Sequence, residues 1–213
     1  MMSEQEKILQ RLEKYRNEIE RIFKERVIQK YEFVEPFCKI KITFDGNKLS
    51  YSVADDGICI KLLLIFFHFK LLRLKGDPNT ANEPINLPLS SRAYYRPKTD
   101  RATSAYLRMM LKGVEPNRAK KWYEKATKKE LKDGKIQEIL SVYGFPSTIE
   151  NMFKGIYYHF EKVLKEDKSK KVELVAWALT SLYGYTPSAS LDIPIEVTFN
   201  IIYQLLNLAE YGI

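Results

Sequence analysis

The side chains of this chain best suited to do chemistry are cations interleaved with aromatics, and they are gathered in one stretch. Between Arg92 and Lys135 lie 14 Lys/Arg residues and only five acids (Asp100, Glu115, Glu124, Glu130, Asp133), a net of +9. The whole chain has 35 Lys+Arg and 27 Asp+Glu, a net of +8, so the remainder (21 basic, 22 acidic) carries −1. A soluble surface needs charge, but not charge sorted in this way. Such a stretch can neutralise a polyanion. Lysines do so as point charges without geometric choice, whereas paired arginine N–H groups read base edges, so a lysine bias points to backbone binding with little sequence preference.

The spacing predicts a helix over Pro116–Lys132. At roughly 100° per residue, Arg118, Lys121, Lys125, Lys128, Lys129 and Lys132 share one arc about 100° wide. Ala119, Trp122, Tyr123 and Ala126 fill the adjacent arc at the spacing of a packing face. Before it, a helix over Asp100–Lys112 is expected, with Thr99 or Asp100 as N-cap and Gly113 as the C′ residue. Arg101, Arg108 and Lys112 lie within about 40° on its wheel, and Ala102, Ala105, Tyr106, Met109 and Met110 form its packing side. Pro116 at the first helical position opens the second helix after a three-residue link. The pair has the outline of a helix-turn-helix, but that motif reads bases with Gln, Asn, Ser or Arg, not with a bank of lysines. Upstream, Arg92, Tyr94, Tyr95, Arg96 and Lys98 have the composition of an arm that follows a sugar-phosphate backbone and stacks on bases. The bland alternative is that a lysine-rich helix is plain solvated surface, as is common in thermophiles.

Catalytic signatures are absent. There is no GxxxxGK[ST], no GxGxxG after a strand and no GxSxG. Asp45, Asp55 and Asp56 are near one another in sequence, but no acid-x-Lys completes a restriction-type Mg²⁺ site, and Asp55 and Asp56 read as helix caps. Gly155-Ile156-Tyr157 matches half of a GIY-YIG signature in the middle of a predicted helix, and His159 beside Tyr158 supplies no recombinase-type Arg/His set. Two cysteines (Cys38, Cys59) and two histidines match no zinc spacing. No catalytic residue, metal or cofactor is therefore expected.

The rest of the chain positions the basic stretch. Residues 3–30 read as an amphipathic helix with the stripe Ile8, Leu9, Leu12, Tyr15, Ile19, Ile22, Phe23 and Val27, and with Glu20–Lys24 and Glu18–Arg21 pairs outside. The stripe packs on its own domain or supports a short coiled coil. A β-hairpin follows, with Cys38, Ile40, Ile42 and Phe44 alternating on one arm and Leu49, Tyr51 and Val53 on the other. A turn at Asp45-Gly46 sets Ile42 opposite Leu49; one at Gly46-Asn47 shifts the register by two and keeps the same face inward. Its outer face carries Lys39, Lys41 and Lys48. The run Ile58–Leu74 is too often interrupted by Lys61, His68, Lys70 and Arg73 to span a membrane. It suits a buried helix capped by Asp55 or Asp56, although a central strand over Leu62–Phe67 has the same periodicity; His68 reads as a core or boundary histidine. Residues 76–98 hold four prolines and no periodic pattern. Further on, Ser147-x-x-Glu150 predicts a capping box opening a helix to about Lys165, with Ile149, Met152, Phe153, Ile156, Tyr157 and Phe160 inward. A helix over Val172–Tyr183 and a final one capped by Asp192 complete the chain.

The expected fold is α+β and mainly α: an N-terminal helix, one hairpin backed by an apolar helix, and a bundle of about five helices. We read a single domain with sub-parts at 1–30, 36–75, 76–98 and 99–213. The expected function is non-enzymatic nucleic-acid binding inside a nucleoprotein assembly of replication, RNA-guided or viral/plasmid type, with DNA and RNA both open. The alternative is an adaptor whose basic face meets an acidic protein. A homodimer through the first or last helix, no membrane partner and a cytoplasmic location (the N-terminus is charged from Ser3 onward) complete the reading.

Overall fold

The computed structural model describes residues 1–76, 101–185, 190 and 192–212. The fold is α+β and mainly helical, with eight α-helices and a three-stranded antiparallel sheet among the described residues. The chain divides into two compact units, one from Met1–Tyr95 and Val175–Thr198, the other from Arg96–Leu174 and Phe199–Ile213.

In the first unit, α1 (Glu4–Glu25) opens on a capping box: the Ser3 hydroxyl accepts from the Glu6 N–H, and the Glu6 carboxylate accepts from the Ser3 N–H. Ile8, Leu12, Ile19, Ile22 and Phe23 are buried, so the stripe is used within the unit, while Leu9 and Val27 are exposed. The helix stops earlier than the pattern implies. Val27 turns left-handed (φ 56°), and the Ile28 and Val27 N–H groups close back on the Phe23 and Lys24 carbonyls. Glu20 pairs with Lys24 as expected, but Arg21 pairs with Glu25 and Glu18 with Lys75.

The expected hairpin is β2 (Ile40–Phe44) and β3 (Leu49–Ser52), in the Gly46-Asn47 register, with Phe44 opposite Leu49 and Ile42 opposite Tyr51. The Asp45 carboxylate accepts from the Asn47 and Lys48 N–H groups. Gly46 is required here, because its φ is +95° and a Cβ would sit 3.2 Å from the Gln29 carbonyl oxygen. An unexpected third strand, β1 (Tyr31–Glu35), pairs with β2. Its last two residues invert the usual alternation, with Glu35 buried and Val34 exposed. The Glu35 carboxylate is satisfied by the Phe37 and Cys38 N–H groups of the following turn. At the other edge, Arg16 of α1 donates to the Leu49 carbonyl and Glu20 accepts from the Leu49 N–H, so side chains cover bonds that a further strand would otherwise take.

Ile58–Leu74 is helical, not a strand: α2 runs Gly57–Lys75, with Asp56 as N-cap accepting from the Ile58 N–H and Gly76 ending it at φ 66°. α2 is buried on nearly every side because α1 and the sheet both cover it. Phe33 stacks on Phe66 at 4.5 Å, and Tyr51 meets Phe67 edge-on at 5.5 Å. A Cys38–Cys59 disulfide (Cα–Cα 5.2 Å) ties the start of the hairpin to the first turn of α2. Lys70 reaches Glu196 at 2.7 Å under the Tyr31 ring, and the Tyr31 hydroxyl donates to the same carboxylate. Burial opposes the Glu196 charge, but Lys70 and the two hydrogen bonds outweigh it and hold the carboxyl below its ordinary range. No helix among the described residues is long and apolar enough to cross a membrane.

The second unit is built on α6 (Ser147–Glu166), whose six predicted inward residues are all buried. Its predicted capping box does not form. Pro146 occupies the cap position without a side-chain bond, and Glu150 instead accepts from the Gln137 amide. Around α6 pack α3 (Arg101–Leu111), α4 (Pro116–Thr127) and α5 (Asp133–Ser141), the last an element with no counterpart in the sequence reading. A 3₁₀ turn at Lys168–Lys170 leads into α7 (Lys171–Tyr185). The final helix, α8 (Ile195–Tyr211), begins at Pro194, whose carbonyl accepts from Val197 and Thr198, so Asp192 precedes the cap and does not form it.

Candidate nucleic-acid interface

α3 and α4 form the hairpin that carries the basic stretch. Gly113 closes α3 in the left-handed conformation (φ 71°), where a residue without Cβ has no steric penalty, and the Gly113 and Val114 N–H groups satisfy the Met110 and Met109 carbonyls. Two residues later Glu115 caps α4, accepting from the Asn117 and Arg118 N–H groups, with Pro116 in the first turn. The turn falls where Gly113 and Pro116 predict it.

The inner sides of the two helices meet through rings. Tyr106 of α3 contacts Tyr123 of α4 at 5.1 Å and Tyr158 of α6 edge-on at 5.2 Å. Tyr158 donates to Asp133 at 2.5 Å and Tyr157 to Glu161 at 2.7 Å. Burial first, then Asp133, pushes the Tyr106 and Tyr158 hydroxyls above their ordinary range; burial and Glu161 do the same for Tyr157. These phenols stay protonated at neutral pH, so the ring floor behind the cations adds no negative charge. On α3, Thr103, Tyr106 and Met110 face inward, and Arg101, Arg108 and Lys112 are exposed on the opposite arc. On α4, Ala119 and Tyr123 face inward, and Arg118, Lys121 and Lys125 are exposed. None of these six cations forms an ion pair with a carboxylate among the described residues.

The predicted helix over Pro116–Lys132 is too long. It ends at Thr127, because Lys128 takes the left-handed conformation (φ 55°) and the chain turns to bury Leu131. Polar contacts fix the break: the Thr127 hydroxyl donates to the Tyr123 carbonyl, and the Glu124 carboxylate accepts from the Leu131 N–H. Lys128, Lys129 and Lys132 are exposed but no longer continue the helical arc. Lys132 also lies 3.9 Å from Glu161, a carboxylate that Lys165 approaches at 3.3 Å. The six-cation arc of a single helix is therefore replaced by Arg101 and Arg108 on α3, Lys112 just past its end, and Arg118, Lys121 and Lys125 on α4. Arg92, Tyr94, Tyr95, Arg96 and Lys98, the predicted arm, lie outside the described residues.

Trp122 was expected on the packing side of α4 and is instead 40% exposed. With packing centred on Ala119 and Tyr123, the outward arc of α4 runs from Lys121 through Lys125 and Arg118 to Trp122, about 100° in all. Two of the three carboxylates weighed for metal chemistry have structural partners: Asp45 in the hairpin turn and Asp56 at the start of α2. No group of three or more His, Cys, Asp or Glu among the described residues could hold a metal ion. Gly155, Ile156 and Tyr157 are buried within α6.

No protein-family model, curated protein or solved structure matches the chain. What the surface can do rests on its own geometry.

Proposed function

We propose that the protein is a non-enzymatic nucleic-acid-binding protein that holds DNA or RNA by its phosphate backbone on the outward faces of α3 and α4. The observation that supports this is the set Arg101, Arg108, Lys112, Arg118, Lys121 and Lys125. All six are exposed and free of carboxylate partners among the described residues, and they occupy the outward arcs of two packed helices. Unpaired cations on rigid elements release counterions from a polyanion without first breaking internal ion pairs. The proposal includes a place in a nucleoprotein assembly of replication, RNA-guided or viral/plasmid type, and a cytoplasmic site of action. A disulfide is compatible with that site in a hyperthermophile, whose intracellular proteins retain such bonds. Gel shifts of the full chain with a generic oligonucleotide in rising salt test the reading. Binding at 50 mM salt that weakens steeply with added salt is expected. No shift at 50 mM salt by folded protein overturns it in favour of an adaptor whose basic face meets an acidic protein.

A further inference from the structure

We propose that Trp122 is a base-stacking residue, and that the strand held on the α3–α4 face is single-stranded. This rests on the nucleic-acid reading above and adds what kind of strand is bound and how its bases are engaged.

The chain has two tryptophans, and they are placed oppositely. Trp177 is 4% exposed in the core of the first unit, whereas Trp122 is 40% exposed on the outward side of α4. Trp122 does not pack the helix down, since Ala119 and Tyr123 do that. Among the described residues its indole has no hydrogen bond, ring contact or cation partner. Its neighbours along the helix surface are Arg118 one turn before and Lys125 one turn after, at the i−4 and i+3 separations of about 5–6 Å between Cβ atoms. An open indole set among unpaired cations combines the two components of sequence-tolerant single-strand recognition: charge for the backbone and a flat ring for the bases.

The flat ring selects the strand. In a duplex the base faces are already stacked on one another, so an indole on a rigid helix side has nothing to stack on. A single strand offers free faces, and every base has one. The cations alone would hold either form; the indole favours the open one.

The test is a titration of the full chain with three fluorophore-labelled 20-mers at low salt: oligo(dT), a random-sequence duplex, and an abasic deoxyribose-phosphate strand. Anisotropy of the label reports binding, and tryptophan emission reports stacking. Because Trp177 is buried, quenching reports Trp122. Oligo(dT) is expected to bind and quench, and the abasic strand to bind about tenfold more weakly without quenching. Trp122→Ala should lose about tenfold for oligo(dT) and leave the abasic strand unchanged, while Trp122→Phe keeps most of the oligo(dT) affinity. Trp122 is exposed, so circular dichroism should show both variants folded. Binding of oligo(dT) without quenching, duplex binding as tight as oligo(dT), or an equal loss on the oligo(dT) and abasic strands in Trp122→Ala overturns the stacking role and leaves the backbone reading in place. No anisotropy change with any of the three strands overturns the backbone reading, and the stacking role with it.

Discussion

The first unit carries 16 basic and 15 acidic residues and the second 19 and 12, and the contrast sharpens where cations without carboxylate partners gather on adjoining helices. In the first unit Arg16 bridges Glu13 and Glu20, Lys24 meets Glu20, Arg21 meets Glu25, Lys75 meets Glu18 and Lys70 meets Glu196. In the second, the carboxylates of α6 and α8 take Lys132, Lys162, Lys165 and Lys171. Among the described residues only Lys120, paired with Glu124, is drawn into an ion pair on α4. Among the described residues the outward cations of α3 and α4 have no carboxylate partner, as is also true of Lys39, Lys41 and Lys48 on the outer face of the hairpin. A lysine-rich thermophile surface would show the opposite, networks instead of a bare strip. The gathering of six such cations on neighbouring helices, more than charge count, singles this face out.

The contrast breaks most directly at α4. Lys121→Glu with Lys125→Glu changes the face by four charges and should weaken oligonucleotide binding on the order of 1,000-fold in 0.1 M salt. The matched reversal Lys39→Glu with Lys41→Glu, in the first unit, should change it by less than about threefold. Anisotropy titrations of both variants decide. Equal losses would mean that net charge, and not this face, binds.

Covalent stabilisation belongs to the first unit. Cys59→Ala opens a loop with a sequence separation of 21 and should cost about 3 kcal/mol, a fall in Tm of roughly 6–12 °C. Oligonucleotide affinity at 20 °C should be unchanged while the protein remains folded. A loss of binding in folded Cys59→Ala protein would show that the basic face depends on the first unit.

Acid sensitivity should also sit there. Burial first, then Arg11, lowers the His68 imidazole from 6.5 to about 4, and its Nδ1 lies 3.1 Å from the Tyr15 hydroxyl. The unfolded chain takes up this proton below 6.5 and the folded chain refuses it until about 4. Its stabilising contribution is therefore complete above pH 6.5 and lost as pH falls through that window, by about 3 kcal/mol at most. His68→Gln should flatten the Tm-against-pH curve between pH 6.5 and 4; an unchanged curve would contradict the burial argument.

The smallest effects are at two left-handed helix ends. Val27 and Lys128 adopt φ of 56° and 55°, a conformation that costs a side-chain-bearing residue about 1–2 kcal/mol. After the entropy glycine adds to the unfolded chain, Val27→Gly and Lys128→Gly should each stabilise by about 0.5–1 kcal/mol, read as a rise in Tm of a few degrees. Lys128→Gly should alter binding by less than twofold, because Lys128 has left the arc.

Those two residues also show where the sequence stops being legible. Gly113 and Pro116 are strong punctuation with single physical meanings, and the α3–α4 turn falls where they predict it. The hairpin alternation and the Asp56 cap were readable for the same reason. The end of α4 was not, since neither Gly nor Pro marks it. A lysine turns left-handed there because Leu131 must reach the core, a tertiary demand that overrides the helical propensity of the segment. β1 escaped because its inward Glu35 and outward Val34 reverse the usual alternation, and the reversal works only once the Phe37 and Cys38 N–H groups satisfy the carboxylate. The disulfide partners are close only after the hairpin meets α2. The spacing of Ala119, Trp122, Tyr123 and Ala126 places Trp122 on the packing side, but packing centred on Ala119 and Tyr123 turns it outward.

The most direct measurement is the salt dependence of oligonucleotide affinity for the full chain between 50 and 300 mM NaCl. Six unpaired cations on α3 and α4 predict a slope of log K against log salt concentration near −4 for a single strand, or about −5 for a duplex, falling in magnitude by about 2 in the Lys121→Glu, Lys125→Glu protein. A slope shallower than about −1 in folded protein, or one that the double reversal leaves unchanged, contradicts phosphate binding by this face.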